Sequence, residues 1–331
     1  MTGLASIRVI LITGSKPRSN GMKKLTVLSV AALLAAAFLT GCASKPKSAS
    51  AGNKTESKKR VIFISDNGFS KNLIEVVSAP TAERDSAFAK ASVEAPVDLM
   101  AFYMAQTETT YARWYEVVTW AKNNGYKFAN PGREGSAGTD GAAPTGSELP
   151  VTMISWRDAV VWCNAASEKD GLTPVYKYNG AVLKESDTAK DGDGKAENAI
   201  IDETANGYRL PTEAEWEFAA RGGDPKSEGW ANLTVGSSAA WFTANSDGTT
   251  HDVKTKEANN FGVYDMNGNV WEWCYNAWAA SNQRRIMRGG SYRKPAEGVT
   301  AVSKDAAPVS RVYDDVGFRV VKFALSQRDA K

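Results

Sequence analysis

The hydrophobic pattern changes character along the chain. Residues 25–39 form an apolar run without a charge, preceded by Lys23 and Lys24 and followed at once by Thr40-Gly41-Cys42. A charged start, a short apolar core and small residues at a cut describe a secretory signal peptide. The run is shorter than the ~20 apolar residues of a membrane-spanning helix, although an uncleaved anchor is the alternative reading. Residues 43–60 are rich in Lys, Ser and Ala with almost nothing apolar. Such a segment cannot bury enough surface to fold and reads as a flexible tether.

From residue 61 onward apolar and aromatic positions are interleaved with polar ones, and the spacing predicts three helices. Tyr111, Trp114, Tyr115, Val118 and Ala121 fall near helical spacing over 110–123, with Asn124-Gly125 as a stop. A second helix is predicted over 156–167. Ser155 and Asp158 form a capping pair, and Ala159, Trp162, Cys163 and Ala166 share one face. A third, shorter helix begins at Thr212, where Thr212-Glu213-Ala214-Glu215 is a capping box, and ends at Arg221-Gly222-Gly223. Residues 61–64 read as an opening strand. The stretch 181–206 is polar, with Asp191-Gly192-Asp193-Gly194 at its centre. Its ligand positions do not fit an EF-hand loop, because the first would be Ala189 and the twelfth Ile200, so it reads as a solvated turn.

Charge alters the picture once the segments are separated. The whole chain carries +3. Five cations and no acid precede Cys42, which leaves −2 for the remainder. The tether holds six cations and Glu56, which leaves −7 for residues 61–331. A domain this acidic lacks the cationic footprint of a nucleic-acid binder, while the basic tether suits anionic headgroups. At roughly 270 residues the domain can hold a large core without staples. After Cys42 only Cys163 and Cys274 remain. Export permits a disulfide between them, and two free buried thiols are the commoner alternative.

Several stretches resemble known families. Leu39-Thr40-Gly41-Cys42 resembles the lipobox of bacterial lipoproteins, which implies cleavage before Cys42 and lipid on that residue. The expected organisation is therefore an upstream segment 1–21 that precedes the true start at Met22, a signal peptide 22–41, a tether 42–60 and one domain 61–331. Within that domain lie Val151-Thr152-Met153-Ile154-Ser155-Trp156-Arg157-Asp158-Ala159, Gly207-Tyr208-Arg209-Leu210-Pro211-Thr212-Glu213-Ala214-Glu215-Trp216-Glu217 and Gly262-Val263-Tyr264-Asp265-Met266-Asn267-Gly268-Asn269-Val270-Trp271-Glu272-Trp273. Together with Arg288-Gly289-Gly290-Ser291 and Gly317-Phe318-Arg319, they resemble the formylglycine-generating-enzyme (sulfatase-modifying-factor) family. The resemblance implies an α+β chain with that family's variant of the C-type lectin fold: few helices, short strands and much ordered loop.

The physical reading of these motifs is mainly structural. Arg209, Glu213 and Glu217 are expected to pin a loop to a helix through charge pairs. Trp216, Trp271 and Trp273 are expected to bury large area and donate indole hydrogen bonds. The resemblance also implies a structural calcium ion at Asn267, Gly268, Val270 and Glu272, whose carbonyls and carboxylate are hard oxygen donors. A turn held by hydrogen bonds alone is the alternative.

The enzyme's chemistry does not carry over. The resemblance implies a copper-binding cysteine pair after Arg-Gly-Gly-Ser, but the matching positions are Lys294 and Val299, and no Cys follows Cys274. A histidine triad is impossible, because His251 is the single His. No nucleophile elbow, Walker A or dinucleotide motif is present. The expectation is thus a non-enzyme that requires no cofactor.

Residues 275–316 keep the framework pieces but place among them Tyr275, Ala277, Trp278, Arg285, Arg293, Lys294, Ser303, Asp305, Val309, Val312, Tyr313 and Asp314. A fixed frame that holds such a mixture resembles a paratope. It is similar to the variable proteins of diversity-generating retroelements, including treponemal surface lipoproteins. That likeness implies a ligand-binding face, lipid-anchored at the bacterial outer membrane, that takes a protein or glycan ligand and no nucleic acid. A fixed-specificity adhesion lipoprotein and an oxidoreductase with unfamiliar chemistry are the alternatives.

Overall fold

The structure is a computed structural model that describes residues 73–76, 99, 102–222, 236–279 and 281–324, all within the unit Lys58–Lys331. The strand expected at 61–64 and the signal, tether and Cys42 lie outside the described residues.

Helices form where the apolar spacing and the caps coincide. Helix α1, Tyr111–Lys122, is capped by the Thr110 hydroxyl, which accepts from the Arg113 N–H. It ends where Tyr126 N–H reaches back to the Ala121 carbonyl and Gly125 takes a positive φ of 81°. Helix α2, Trp156–Lys169, has the full capping box of Ser155 and Asp158. Its burial exceeds the expectation, since every residue from Trp156 to Ser167 is buried rather than one face alone. Such a helix is packed on all sides. Helix α3, Glu213–Ala220, starts at the Thr212–Glu215 box and is likewise wholly buried. A four-residue helix α4, Gly236–Ala239, follows.

The strands are short. In chain order they are β1 Leu73–Val76, β2 Phe102–Ala105, β3 Arg133–Glu134, β4 Val151–Thr152, β5 Tyr176–Tyr178, β6 Ala181–Val182 and β7 Ile200–Ile201. After these come β8 Trp271–Trp278, β9 Ser281–Arg288, β10 Lys304–Pro308, β11 Val316–Gly317 and β12 Val321–Phe323. One sheet has the order β1-β2-β12, so the beginning and end of the described domain meet in it. The four-stranded sheet β10-β9-β8-β11 is the largest. The arrangement has the few helices, short strands and long ordered loops that the resemblance implied.

Side chains alternate across the pleat, so the four-stranded sheet packs on both faces. Trp271, Trp273, Met287, Ala307 and Val309 enter one cluster with α1 and α2. Cys274 and Ile286 enter another with Trp216 and Phe218 of α3. In the first cluster the Trp114 and Trp162 rings stack with centroids 6.1 Å apart, and Phe318 meets both edge-on. Cys163 and Cys274 are free and buried, the commoner alternative read from the sequence.

The buried charges hold the loops, with pairings that differ from those expected. Arg209 forms a two-pronged pair with Glu215, not with Glu213 or Glu217. Glu217 instead receives Arg288 and Arg221, and Arg288 also reaches Glu213 at 3.4 Å. Glu213 and Glu217 flank the capping-box carboxylate by two residues on either side, and sequence spacing did not reveal which of the three meets Arg209. Trp216 donates to Glu272 at 2.7 Å, but the buried Trp273 indole nitrogen has no partner.

At the centre Arg319, fully buried, grips Glu272 with two donors at 2.6 Å and donates to the carbonyls of Ala105, Gln106 and Tyr264. Two further carboxyls face this pair. Glu108 is held well above the ordinary carboxylate range, chiefly by burial and then by Asp265 and Glu272. Burial pushes Asp265 up to about 6. A carboxyl whose folded value is raised binds its proton more tightly in the fold, so its ionisation destabilises the protein as pH rises from the unfolded value through the folded one. Relative to Asp265→Asn, which keeps an acceptor for the Lys254 N–H, the native protein should lose about 3 kcal/mol between about pH 4 and pH 7. Urea unfolding of both proteins across that window checks this, and parallel curves would contradict it.

Candidate functional site

The hairpin of β8 and β9 carries the C-terminal candidates. Its base is buried, through Trp271 to Cys274 and Arg285 to Arg288, and its far end is exposed. Register shifts between Trp273 and Trp278 mark a bulge there, a device that twists a hairpin away from the body. Tyr275 is half-buried and packs between Trp156 and Tyr176, with ring centroids 6.1 and 5.8 Å away. Ala277 pairs with Arg285 across the strands. Trp278 is 38% exposed, with the Lys304 ammonium 5.7 Å from its ring.

A second group lies at the opposite end of β8. The Trp271 N–H donates to the Asp315 carbonyl, and the Lys294 ammonium sits 5.6 Å above the Trp271 ring. Beside them Arg293 pairs with Asp314 at 2.5 Å and donates to the Tyr292 hydroxyl. Tyr313 is 37% exposed, while its carbonyl accepts from Met153 N–H. Val312 is half-buried. At ~3.3 Å per residue the seven steps from Trp271 to Trp278 separate the two groups by roughly 20 Å. The expected ligand-binding face is therefore an elongated strip. Residues 309–315 bridge it, leaving the Gln283 carbonyl at Val309 N–H and reaching Trp271 at Asp315. Ser303 and Asp305 lie along the edge strand, Asp305 exposed and Ser303 bonded to Thr300.

Two candidates lie deeper than the surface position expected of them. Val309 is fully buried in the main core, where its side chain cannot meet a ligand. Arg285 is 97% enclosed, with 3% exposure, rather than on the surface. An apolar or long side chain in a run of mixed character gives no sign of which way the strand turns it.

Sequence reasoning also missed a cavity beside the bridging segment. It has a volume of about 380 Å³ and is lined by Asn130, Ser155, Asp187, Lys190, Asp191 and Ser310. One wall is the loop expected to be a solvated turn. Instead, the loop wraps the buried Arg157 guanidinium, which donates to the carbonyls of Asp187, Ala189 and Lys190 and pairs with Glu197 at 2.5 Å. Gly194 is required by that wrap, because a Cβ there would lie 2.8 Å from the Arg157 guanidinium carbon. The acidic and glycine-rich composition of the loop was a signal for a bound cation, and the cation is an arginine of the chain itself.

Of the residues expected to hold calcium, the one carboxylate is already engaged within the protein. Glu272 is fully buried and its carboxylate is taken up by Arg319 and the Trp216 indole. Asn267 donates its amide to the Val299 carbonyl and leaves a buried Oδ1 without a partner. Gly268 takes a φ of 82° and lets the Trp241 carbonyl approach, and Val270 N–H donates to Glu108. The turn is held by these hydrogen bonds. Among the described residues no group of three or more His, Cys, Asp or Glu side chains is placed to hold a metal. At the positions matching the copper cysteines, Lys294 lies over Trp271 and Val299 packs with Ala240 and Phe242. Neither side chain is a copper ligand. His251 makes a local contact to the Ser246 carbonyl at 2.9 Å and stacks on Trp241.

Burial separates structural from surface positions in a way that melting experiments can read. Val309→Ala should cost about 1–3 kcal/mol through lost packing. Arg293→Ala, which removes an exposed ion pair, and Tyr313→Ala should each change stability by less than about 1 kcal/mol. A large loss from either surface variant would mean that the strip is part of the core.

The comparisons agree with this architecture. The family model for the sulfatase-modifying factor enzyme 1-like domain matches residues 57–324. Chaperone protein LppX of Paenibacillus barcinonensis is 30% identical over 249 residues, which is 68% of this chain and 81% of that protein. Treponema denticola variable protein 1 has a solved structure with 30% identity and a TM-score of 0.55, covering 68% of this chain and 86% of the other. The likeness to treponemal variable proteins read from the sequence therefore holds. The inactive C-alpha-formylglycine-generating enzyme 2 of Mus musculus is 33% identical over 54% of this chain, and the match spans half the length of that relative. Proteins named formylglycine-generating enzyme match as well, so kinship alone does not decide activity. With its motifs, its fold and its family model in agreement, the chain belongs to the sulfatase-modifying factor enzyme 1-like domain family.

Proposed function

We propose that this protein binds a protein or glycan ligand through the strip at its C-terminal region and catalyses no reaction there. The observation that carries the reading is the contrast along β8. A base locked by buried ion pairs supports two exposed aromatics, Trp278 and Tyr313, at either end of the strip. Large rigid aromatics with adaptable polar neighbours supply binding area at low ordering cost. The Lys294 and Val299 side chains at the copper positions favour a binder over the family's oxidase chemistry, and that expectation requires no cofactor.

The finer reading is that the strip is diversified by a retroelement. It draws support from the likeness to Treponema denticola variable protein 1. The lipobox-like Leu39-Thr40-Gly41-Cys42 supports a lipid anchor at Cys42 that would hold the domain at the outer surface of a bacterial envelope. A binding lipoprotein of fixed specificity is the second reading, and it draws on the similarity to a protein named as a chaperone over 81% of that protein's length.

Deep sequencing of the last third of the gene across many cells of one lineage separates the two. Diversification predicts changes clustered at surface codons such as Arg293, Ser303 and Tyr313, mostly at template adenines, with Arg288 to Ser291 and the buried Val309 unchanged. A region uniform from cell to cell would overturn diversification and leave the fixed-ligand reading. Oxygen uptake with a thiol substrate and added copper would overturn both.

A further inference from the structure

The buried arginines follow one rule with one exception. Arg157, Arg209, Arg221, Arg288 and Arg319 are all at most 4% exposed, and each has a carboxylate at 2.5–2.8 Å. Arg285 is 3% exposed and, among the described residues, forms no ion pair. Its Nη1 donates to the Asn282 carbonyl at 3.1 Å and its Nη2 to Asn282 Oδ1 at 2.9 Å. Its Nε is buried without a partner. The guanidinium stacks over the Trp156 ring at 4.2 Å. Glu197, an acid that acts on this charge, already gives both oxygens to Arg157.

A buried cation without a counter-charge is disfavoured, and removing one partner of a buried pair is strongly destabilising. Burial pulls the Arg285 guanidinium below its ordinary value, with only weak opposition from Tyr275, Glu197 and Tyr176. Guanidinium forks are suited to two-pronged recognition of carboxylates. Both terminal nitrogens of this fork are engaged by one residue, through the Asn282 backbone carbonyl and its side-chain oxygen. Asn282 is exposed at the hairpin end, and its amide donates to the Glu197 carbonyl at 3.2 Å. Its carboxamide has the shape of an aspartate carboxylate and occupies the place where an acidic group would pair.

We infer that Arg285 is an anchor for a carboxylate on a short flexible arm, as on an Asp or Glu side chain of a protein ligand, which enters by displacing the Asn282 carboxamide. The inference rests on the ligand-binding reading above and names the chemistry that one end of the strip accepts. Neighbouring Tyr275 and Trp278 would flank the incoming segment.

The test follows the Arg285 Nε–H resonance in the full chain labelled with nitrogen-15 arginine, assigned through Arg285→Lys. The probe is aspartate capped as its N-acetyl, N-methylamide derivative, with the asparagine counterpart and sodium chloride at equal ionic strength as controls. The Arg285 signal should move saturably with capped aspartate below about 100 mM, a weak affinity suited to a fragment, and with neither control. The signals of Arg157, Arg209 and Arg319 should stay in place. In Asn282→Ala, which removes the competing acceptor, saturation should come at a several-fold lower concentration. No movement in either protein would overturn the anchor, and an equal response to glucuronate would overturn its assignment to a peptide side chain. Neither result bears on cell-to-cell variation in the gene, so this inference can fail while the binding reading stands.

Discussion

The pair between Arg319 and Glu272 is the constraint on which the rest of the structure depends. It is fully buried and two-pronged, and its remaining donors reach three carbonyls in two other segments. One guanidinium thereby joins the end of β2, the loop before β8, β8 itself and the C-terminal segment. With few helices and strands of two to eight residues, regular hydrogen bonding alone does not fix these loops. Breaking such a pair leaves an uncompensated buried charge, which costs about 3–5 kcal/mol. The neighbouring Glu108 and Asp265 respond to the same burial with raised proton affinity.

The pattern repeats outward from the centre. Arg288 ties β9 to α3 through Glu217, Arg209 ties the chain before α3 to its cap, and Arg157 organises the loop that walls the cavity. These pairs, with the stacked Trp114 and Trp162, give a frame whose geometry does not depend on the residues at the exposed end of the β8–β9 hairpin or at the exposed positions of the bridging segment. A frame of that kind tolerates change at the strip while keeping its own shape, which both binding readings require. The chemistry at Lys294 and Val299 points the same way, since a cation and an aliphatic side chain stand where the oxidases have thiols.

Much of the fold was legible because its signals are local. The capping boxes at Ser155 and Thr212 and the spacing of Tyr111, Trp114 and Val118 placed all three main helices within two residues. The family motifs carried the rest of the architecture. What failed depends on partners distant in sequence. The Arg157 wrap joins residues 30 to 40 positions apart, so its loop looked like a solvated turn. Arg209 chose Glu215 over Glu213 and Glu217 by geometry that spacing does not encode. The strip was legible as a region but not residue by residue. Val309 and Arg285 sit among exposed neighbours and are nonetheless buried. The Glu272 carboxylate pairs with Arg319, 47 residues later, a partner that spacing did not reveal.

The central claim is that the ion-paired frame is independent of the strip it carries. Simultaneous randomisation of Tyr275, Trp278, Arg293, Ser303, Tyr313 and Asp314, followed by display of the library and measurement of protease resistance, tests it most directly. The account predicts that most members resist proteolysis as the parent does. Loss of resistance in most members would show that the strip is part of what holds the fold together, and would contradict the account.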